Sequence, residues 1–176
     1  MQKLRNKIKI ENGTDLQIAK SAKIAASHIE IYGHGNSLRI AEEVKLRDVH
    51  IEIVGDNCSI TIEKGCVIGH QSYLSAKEDG IELFVGEGCM FSRNVKVMTS
   101  DGHPLFCDNK QINKAKSIVI ESHVWLGDNV TILKGVSIGS GSVVGINATL
   151  TQSIGPNVVA VGNPAKVVKE NVVWKK

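Results

Sequence analysis

The strongest constraint in this sequence is a repeat of six residues. From residue 120 onward an aliphatic side chain recurs at every sixth position, and a small or medium-sized side chain follows four residues after each. The aliphatic positions are Ile120, Leu126, Ile132, Ile138, Val144 and Leu150. The positions four residues later are Val124, Val130, Val136, Ser142, Ala148 and Ile154. An amphipathic helix repeats about every 3.6 residues and a strand about every 2, so neither element explains this period.

A longer repeat precedes the hexads. A nine-residue pattern begins at Leu16, Leu38, Ile60, Leu83, Ile118 and Val136. It reads aliphatic, any, aliphatic, three polar or small residues, small, any, aliphatic, and its successive starts are 22, 22, 23, 35 and 18 residues apart. Three hexads make 18 residues, which fits one triangular coil of three short strands. Such coils bury their inward side chains only by stacking, at the roughly 4.8 Å spacing of paired strands.

We therefore predict an all-β fold, a parallel β-helix formed by residues 1–176 as a single domain. Degenerate coils are expected over residues 8–60, with four or five extra residues at a corner, and regular hexads over residues 118–155. The 35-residue step exceeds one coil by 17 residues and predicts a long loop over residues 98–117, and residues 156–176 would form a short C-terminal tail. The alternative, a β-sandwich with irregular loops, does not keep a six-residue register over 36 residues.

The composition agrees with this fold and narrows the class of protein. There are 20 Ile and 20 Val against 10 Leu, which favours strands, and 17 Gly provide turns. The 21 basic and 18 acidic residues nearly balance, and the resulting net charge of +3 is too small to indicate nucleic-acid binding. Residues 1–10 lack the apolar region of a secretory signal, and no stretch approaches the roughly 18 apolar residues of a membrane helix. Without a CxxC spacing, Cys58, Cys66, Cys89 and Cys107 are expected to be reduced thiols, and the protein to be soluble and cytoplasmic.

The hexads and three other segments resemble the hexapeptide-repeat acyltransferases. The segments are residues 99–104 (TSDGHP), 120–127 (IESHVWLG) and 156–165 (PNVVAVGNPA). A more specific resemblance is to the galactoside and maltose acetyltransferases and to bacterial polysaccharide and capsule O-acetyltransferases, and it covers residues 60–170 well. The resemblance implies a left-handed β-helix, a homotrimer and acetyl-coenzyme A as co-substrate.

His103 is the candidate general base. Transfer of an acyl group from a thioester to a hydroxyl needs a base that takes the hydroxyl proton, and imidazole is substantially neutral near pH 7. The resemblance implies that His103 also protonates the leaving thiolate; the alternative is an ordinary loop histidine before a proline. Asp101, two residues earlier, is either an orienting carboxylate or acceptor contact, or part of an Asp-Gly turn.

Trp125 is the second candidate catalytic residue. It lies between the inward positions Val124 and Leu126, so its indole is expected to point outward. The same outward column would contain Val67, Met90 and Val143. An exposed apolar stripe predicts a covered surface, which is a subunit interface, a wall beside the thioester and the acceptor, or both. The resemblance implies that Trp125 lines the active site.

The resemblance also places a coenzyme A groove along the corners of the coils, where small residues allow a close approach of the backbone. The matching positions are Asp128, Gly145, Ile146 and Thr151. Relatives often have Ser at the first of these positions, Ala or Gly at Ile146 and Lys at Gln152, so individual polar contacts differ here. Lys166 and Lys169 match basic residues that meet the coenzyme phosphates; the alternative is a solvated tail.

The sequence therefore predicts an acetyl-CoA-dependent O-acetyltransferase that acts on a sugar hydroxyl, of a bacterial surface polysaccharide or its precursor. Two alternatives stay open, namely N-acetylation of a nucleotide-linked amino sugar and a non-catalytic β-helix scaffold.

No metal site is predicted from the sequence. The γ-class carbonic anhydrases share this architecture and bind zinc through three histidines, two of them five residues apart. That spacing is absent among His28, His34, His50, His70, His103 and His123. The alternating basic residues Lys3, Arg5, Lys7 and Lys9 are interpreted as the outer face of a first strand.

Overall fold

A computed structural model describes residues 5–175, and its strands wind into a parallel β-helix. Successive strands visit three parallel sheets in turn, so that three short strands complete one coil and each strand pairs with its counterparts in the coils above and below. Residues 5–175 contain no helix at all, and therefore none that could span a membrane. The predicted all-β parallel β-helix is confirmed.

Sheet 1 contains β1 (Lys7–Ile10), β4 (His28–Tyr32), β7 (Val49–Val54), β10 (Ser72–Lys77), β13 (Lys96–Met98), β18 (Thr131–Leu133) and β21 (Thr149–Leu150). Sheet 2 contains β2 (Asp15–Ile18), β5 (Ser37–Ile40), β8 (Ser59–Ile62), β11 (Glu82–Val85), β16 (Ile118–Ile120) and β19 (Ser137–Ile138). Sheet 3 contains β3 (Lys23–Ala25), β6 (Lys45–Arg47), β9 (Val67–Ile68), β12 (Met90–Phe91), β17 (Trp125–Leu126), β20 (Val143–Val144), β22 (Val159–Gly162) and β23 (Ala165–Lys169).

Columns of inward side chains form the core. Leu38, Ile60, Leu83 and Ile118 occupy the same register on successive strands of sheet 2, and each is at most 1% exposed. Complete burial of one such side chain contributes about 1.5–3 kcal/mol. The inward positions of the hexads are buried as predicted, with the difference that Ile154, at the end of the run, is only partly buried.

The coils of 22 and 23 residues have longer strands than the regular coils on both sides of one corner. In sheet 1, β7 has six residues where β18 has three, and in sheet 2, β8 has four residues where β19 has two. The extra residues thus lengthen the strands that flank the corner between sheets 1 and 2. The expectation of extra residues confined to a corner needs this correction.

The corner between sheets 3 and 1 repeats one backbone conformation. Its residues with a positive φ are Ala26, Asp48, Gln71, Asn94, Asn129 and Asn147. Asparagine adopts this left-handed region more readily than most residues. The amides also form a ladder, in which Asn94 Nδ2 donates to Asn129 Oδ1 (2.8 Å) and Asn129 Nδ2 donates to Asn147 Oδ1 (2.9 Å).

The long excursion leaves the β-helix between β13 and β16, at the corner between sheets 1 and 2. It contains an antiparallel hairpin of β14 (Phe106–Cys107) and β15 (Lys110–Gln111). Asp108 and Asn109 connect these strands with φ values of 48° and 60°, the left-handed pair that a type I′ hairpin turn requires.

The C-terminal segment closes one end of the β-helix and then folds back. β22 adds a strand to sheet 3, and β23 pairs with it in the antiparallel direction. Beyond β23 the chain runs back along the corner between sheets 2 and 3, where Val172 N donates to Asn157 O at 2.9 Å.

The N-terminal strand β1 carries Lys7 and Lys9 level with His28 and Glu30 of β4. Ile8 is level with the fully buried Ile29, so Lys7 and Lys9 occupy the outer face of sheet 1, as interpreted from the sequence. Lys3 lies outside the described residues.

Candidate active site

The two predicted catalytic side chains lie on opposite sides of one chain. The excursion that carries His103 leaves the corner between sheets 1 and 2, whereas Trp125 belongs to sheet 3. In a triangular coil, the corner between two sheets lies opposite the third sheet. A single chain therefore offers two separate surfaces: a loop surface around His103, and a face surface around Trp125 and the neighbouring corner between sheets 3 and 1.

Asn113 holds the loop surface together. Its Nδ2 donates to the backbone oxygen of His103 (2.8 Å) and to Asp101 Oδ2 (2.9 Å). Its Oδ1 accepts from the backbone N–H of Leu105 (2.6 Å), and the residue is only 8% exposed. One buried amide thus fixes the backbone on both sides of the candidate base, and sequence reasoning had not identified it.

Two side chains from the β-helix anchor the excursion. Glu78, just after β10, accepts from Ser100 Oγ (2.9 Å) and from Ala115 N (3.1 Å), so it joins the two ends of the loop. Lys134, just after β18, contacts Asp101 Oδ2 and donates to the backbone oxygen of Asn113 (2.8 Å). These anchors lie one coil below and one coil above the loop, and stacking brings them to it.

The Asp101 carboxylate serves as one of these anchor points. Its hydrogen bond to Lys134, followed by that to Asn113, lowers the pKa of Asp101 below its ordinary value. The side chain therefore remains ionised at neutral pH and holds the turn before His103. The contacts support the interpretation of Asp101 as part of a turn, and its predicted catalytic role stays a prediction.

The His103 side chain is exposed at the tip of this anchored turn. Within residues 5–175 no side chain or backbone group hydrogen-bonds its ring, although its backbone oxygen is held by Asn113. Both ring nitrogens are therefore available to a substrate. A free imidazole on a fixed backbone is the arrangement that a general base requires.

Trp125 lies in the predicted outward column. Val67, Met90, Trp125 and Val143 occupy the same register on four successive strands of sheet 3. The indole is 36% exposed, and its Nε1 donates to Ser92 Oγ at 3.4 Å. The column forms an apolar surface on the face of the molecule.

The C-terminal segment brings a second tryptophan to this face. The Trp174 ring lies 6.0 Å from the ring of Trp125 and stacks on His123 at 4.0 Å with an interplanar angle of 5°. Trp174 Nε1 donates to His123 O (2.9 Å), and His123 Nε2 lies 3.1 Å from Trp174 O. His123 occupies an exposed turn with a φ of 58°, and no sequence pattern indicated its pairing with Trp174.

The candidate coenzyme residues divide into two groups. Asp128, Gly145 and Ile146 lie together at the corner between sheets 3 and 1, and Lys166 pairs with Val161 at the end of the same corner. Thr151 follows β21 at the corner between sheets 1 and 2, and Lys169 pairs with Val159 at the far end of β23.

Two features shape the corner between sheets 3 and 1. Arg93 donates from its backbone N and from Nη2 to Asp128, both at 2.9 Å, and these bonds hold the pKa of Asp128 below its usual range. At Gly145, a Cβ would lie 2.7 Å from Val161 Cγ1, so a larger residue would displace that side chain. Ile146 beside it is 66% exposed and forms an apolar ledge at this corner.

A row of cations extends the Trp125 column toward the N-terminus. Lys23 and Lys45 occupy the register below Val67, and Arg47 lies two residues after Lys45 on the same strand. All three are exposed, and none belongs to an ion pair in the part of the chain that the structure describes. With His70 they line a groove of about 260 Å³.

Replacement of Asn113 by alanine should loosen the loop surface. The variant loses three hydrogen bonds around His103, each worth about 1 kcal/mol, so residues 101–112 should exchange their backbone amide protons faster. Hydrogen exchange followed by mass spectrometry measures this, with the exposed neighbour Lys114→Ala as the control. Equal exchange in both variants would contradict the bracing role of Asn113.

A family model and individual relatives of known sequence both match this chain. Residues 117–152 match the Hexapep family, described as bacterial transferase hexapeptide (six repeats). A polysialic acid O-acetyltransferase of Neisseria meningitidis is 36% identical over 168 residues, which cover 94% of this chain and 77% of that protein. A polysialic acid O-acetyltransferase of Escherichia coli O1:K1 / APEC is 36% identical over 116 residues, or 62% of this chain, and the match spans 38% of that relative's length.

A solved structure supports the same assignment over nearly the whole chain. The crystal structure of the polysialic acid O-acetyltransferase OatWY has a TM-score of 0.78 at 30% sequence identity, and the match covers 98% of this chain and 92% of that chain. With the β-helix, the hexads and the 36% identity over most of both chains, the chain belongs to the hexapeptide-repeat acetyltransferases.

Proposed function

We propose that this protein is an acetyl-CoA-dependent O-acetyltransferase that modifies a sugar hydroxyl of an acidic bacterial polysaccharide. The observation that carries the proposal is the free imidazole of His103 on a loop whose backbone is braced by Asn113. The O-acetyltransferases named above supply the class of acceptor. The reaction consumes acetyl-CoA, a cytoplasmic metabolite, and this favours a cytoplasmic site of action.

The proposed reaction is direct transfer. An imidazole nitrogen of His103 takes the proton of the acceptor hydroxyl, while the hydroxyl oxygen attacks the carbonyl carbon of the thioester. The tetrahedral intermediate then expels the sulfur, the carbon–sulfur bond breaks, and the imidazolium donates its proton to the leaving thiolate. The products are an acetyl ester and free coenzyme A, and the histidine returns to its neutral form.

The division of the site between two surfaces favours an oligomer. Within one chain, His103 and Trp125 lie on opposite sides of the coil, so a complete site forms only when the loop surface of one chain meets the face surface of another. Such a head-to-tail contact forms a closed ring when the rotation between neighbouring chains closes after a whole number of copies. We propose a homotrimer in which three identical contacts create three active sites.

In this arrangement the coenzyme lies along the corner between sheets 3 and 1. The exposed Ile146 would contact the pantetheine arm, beside the ion pair of Asp128 and Arg93. Lys166, at the end of this corner, is placed to pair with a phosphate. Thr151 and Lys169 lie away from this corner, so we assign them no contact to the same coenzyme within one chain.

The unpaired cations of sheet 3 favour an acidic acceptor. Lys23 and Lys45 continue the column that contains Trp125, Arg47 lies beside it on the strand of Lys45, and successive strands are about 4.8 Å apart. A polyanion that follows this row would meet a cation on each of the first two coils and then arrive at the apolar surface of Trp125. A neutral monosaccharide would form no ion pair with these side chains.

Replacement of His103 by alanine should lower kcat/KM by a factor on the order of 10² or more, because the transferred proton loses its acceptor. Release of coenzyme A thiol in the presence of a polysaccharide acceptor measures the rate. The control is His34→Ala, because His34 lies in an exposed turn, where its side chain pairs with Asp56. Near-wild-type turnover by His103→Ala would remove the assignment.

The same assay with hydroxyl and amino sugars separates O-acetylation from N-acetylation.

The double substitution Lys23→Gln and Lys45→Gln should raise KM for an acidic polysaccharide several-fold and leave KM for acetyl-CoA unchanged. The matched control, Lys20→Gln, removes one charge from the adjacent corner of the same coil. High salt should reduce the difference, because exposed charges are screened. An unchanged KM in the double variant would contradict the role of this row.

A further inference from the structure

A cluster of metal-ligating side chains lies on the outer face of sheet 1, on a different surface from Trp125. His28 and Glu30 lie on β4, and His50 lies on β7 in register with His28. Residues two apart on a strand share a face, so the three side chains project together. One ligand atom from each lies within 4.8 Å of the other two.

The Glu30 carboxylate lies between the two imidazoles. Its Oε1 is 3.4 Å from His28 Nε2, and its Oε2 is 3.4 Å from His50 Nε2. Two ligand atoms of a tetrahedral zinc ion, each about 2.1 Å from the metal, are separated by about 3.4 Å. Each observed separation equals one edge of a zinc coordination tetrahedron, and because the two involve different oxygens of Glu30, a rotation of the carboxylate brings one oxygen between both imidazoles.

His50 provides an independent observation. Its Nε2 atom is shielded from solvent and has no hydrogen-bond partner among the described residues, although Glu30 Oε2 is only 3.4 Å away. The contact has the distance of an ion pair without the direction of a hydrogen bond. Shielded polar atoms almost always have a partner, and a cation between these groups would supply one.

The surroundings leave room for an ion. The rings of His28 and His50 stack at 4.9 Å with an interplanar angle of 11°, so a shared ion requires them to tilt toward each other. Their side chains are 41% and 37% exposed, and a groove of about 280 Å³, lined also by Asp48, Gln71 and Tyr73, runs beside them.

Among the described residues, neither Lys9 nor Lys77 forms an ion pair with Glu30. Glu52, the next carboxylate in its column, is occupied by the hydroxyl of Tyr73 and by Lys77, whose Nζ lies 2.9 Å away. Lys9 precedes Glu30 in the column, but its Nζ lies over the Tyr32 ring, 4.9 Å from the centroid. The Tyr32 hydroxyl donates to Glu30 Oε1 at 3.2 Å, which orients the carboxylate.

We propose that His28, Glu30 and His50 bind one Zn²⁺ ion per chain and link two adjacent coils. Two imidazoles and one carboxylate form a ligand set that zinc accepts, with water at the remaining position. Mg²⁺ and Ca²⁺ prefer sites built from oxygen ligands and are therefore poor candidates. The site is separate from the acetyl-transfer surfaces, so it does not depend on the proposed function.

Zinc binding to the untagged full-length chain tests this proposal. Isothermal titration with Zn²⁺ after chelator treatment should give one ion per chain, and Zn²⁺ should raise the midpoint of thermal unfolding, because only the folded chain brings the three ligands together. His50→Ala and the isosteric Glu30→Gln should each weaken binding by about tenfold or more, since each removes a ligand. His34→Ala, an exposed histidine on another corner, is the matched control and should bind as the wild type does.

Absence of zinc binding to the wild-type chain, or equal affinity in Glu30→Gln and wild type, would overturn the proposal. Glu30→Gln keeps the shape of the side chain, and its secondary structure can be compared with the wild type by circular dichroism. A loss of binding in a folded Glu30→Gln variant therefore reports the ligand and not the fold.

Discussion

The inward stacking of aliphatic side chains is the interaction on which this structure depends. A strand of two or three residues, such as β17 or β18, buries too little surface to be stable alone. Ile118, Leu126 and Ile132 are buried because the coils above and below cover them. The same stacking fixes the position of every corner and therefore of every loop and outward side chain that leaves the β-helix.

This rigidity explains how a long loop can present a catalytic side chain. The excursion is held internally by its hairpin and by Asn113, and it is tied to the coil below by Glu78 and to the coil above by Lys134. Asn113 transmits these ties to the backbone of His103. On the other side of the molecule, Trp174 returns along a corner to pack beside Trp125, so the end of the chain contributes to the face surface.

The sequence predicts the features that are encoded locally. A six-residue period requires no knowledge of distant contacts, and it identified the fold, the burial of the inward positions within residues 120–150 and the outward direction of Trp125. Contacts between coils are different, because they join residues separated by a variable number of positions. Glu78 meets Ser100 and Ala115 across 22 and 37 positions, and Trp174 meets His123 across 51. The 22-residue repeat visible in the sequence places His28 and His50 in register on adjacent coils. A search for histidines five residues apart does not detect a pair that is 22 residues apart.

The central claim is that each active site combines the loop of one chain with the face of another. Co-expression of His103→Ala and Trp125→Ala chains tests it most directly, because each variant alone lacks one surface in every site. In a random equal mixture, about a quarter of the sites would pair an intact loop with an intact face. Purified mixed oligomers should release thiol from acetyl-CoA well above the rate of either variant alone. Mixed oligomers with no more activity than the separate variants would contradict it.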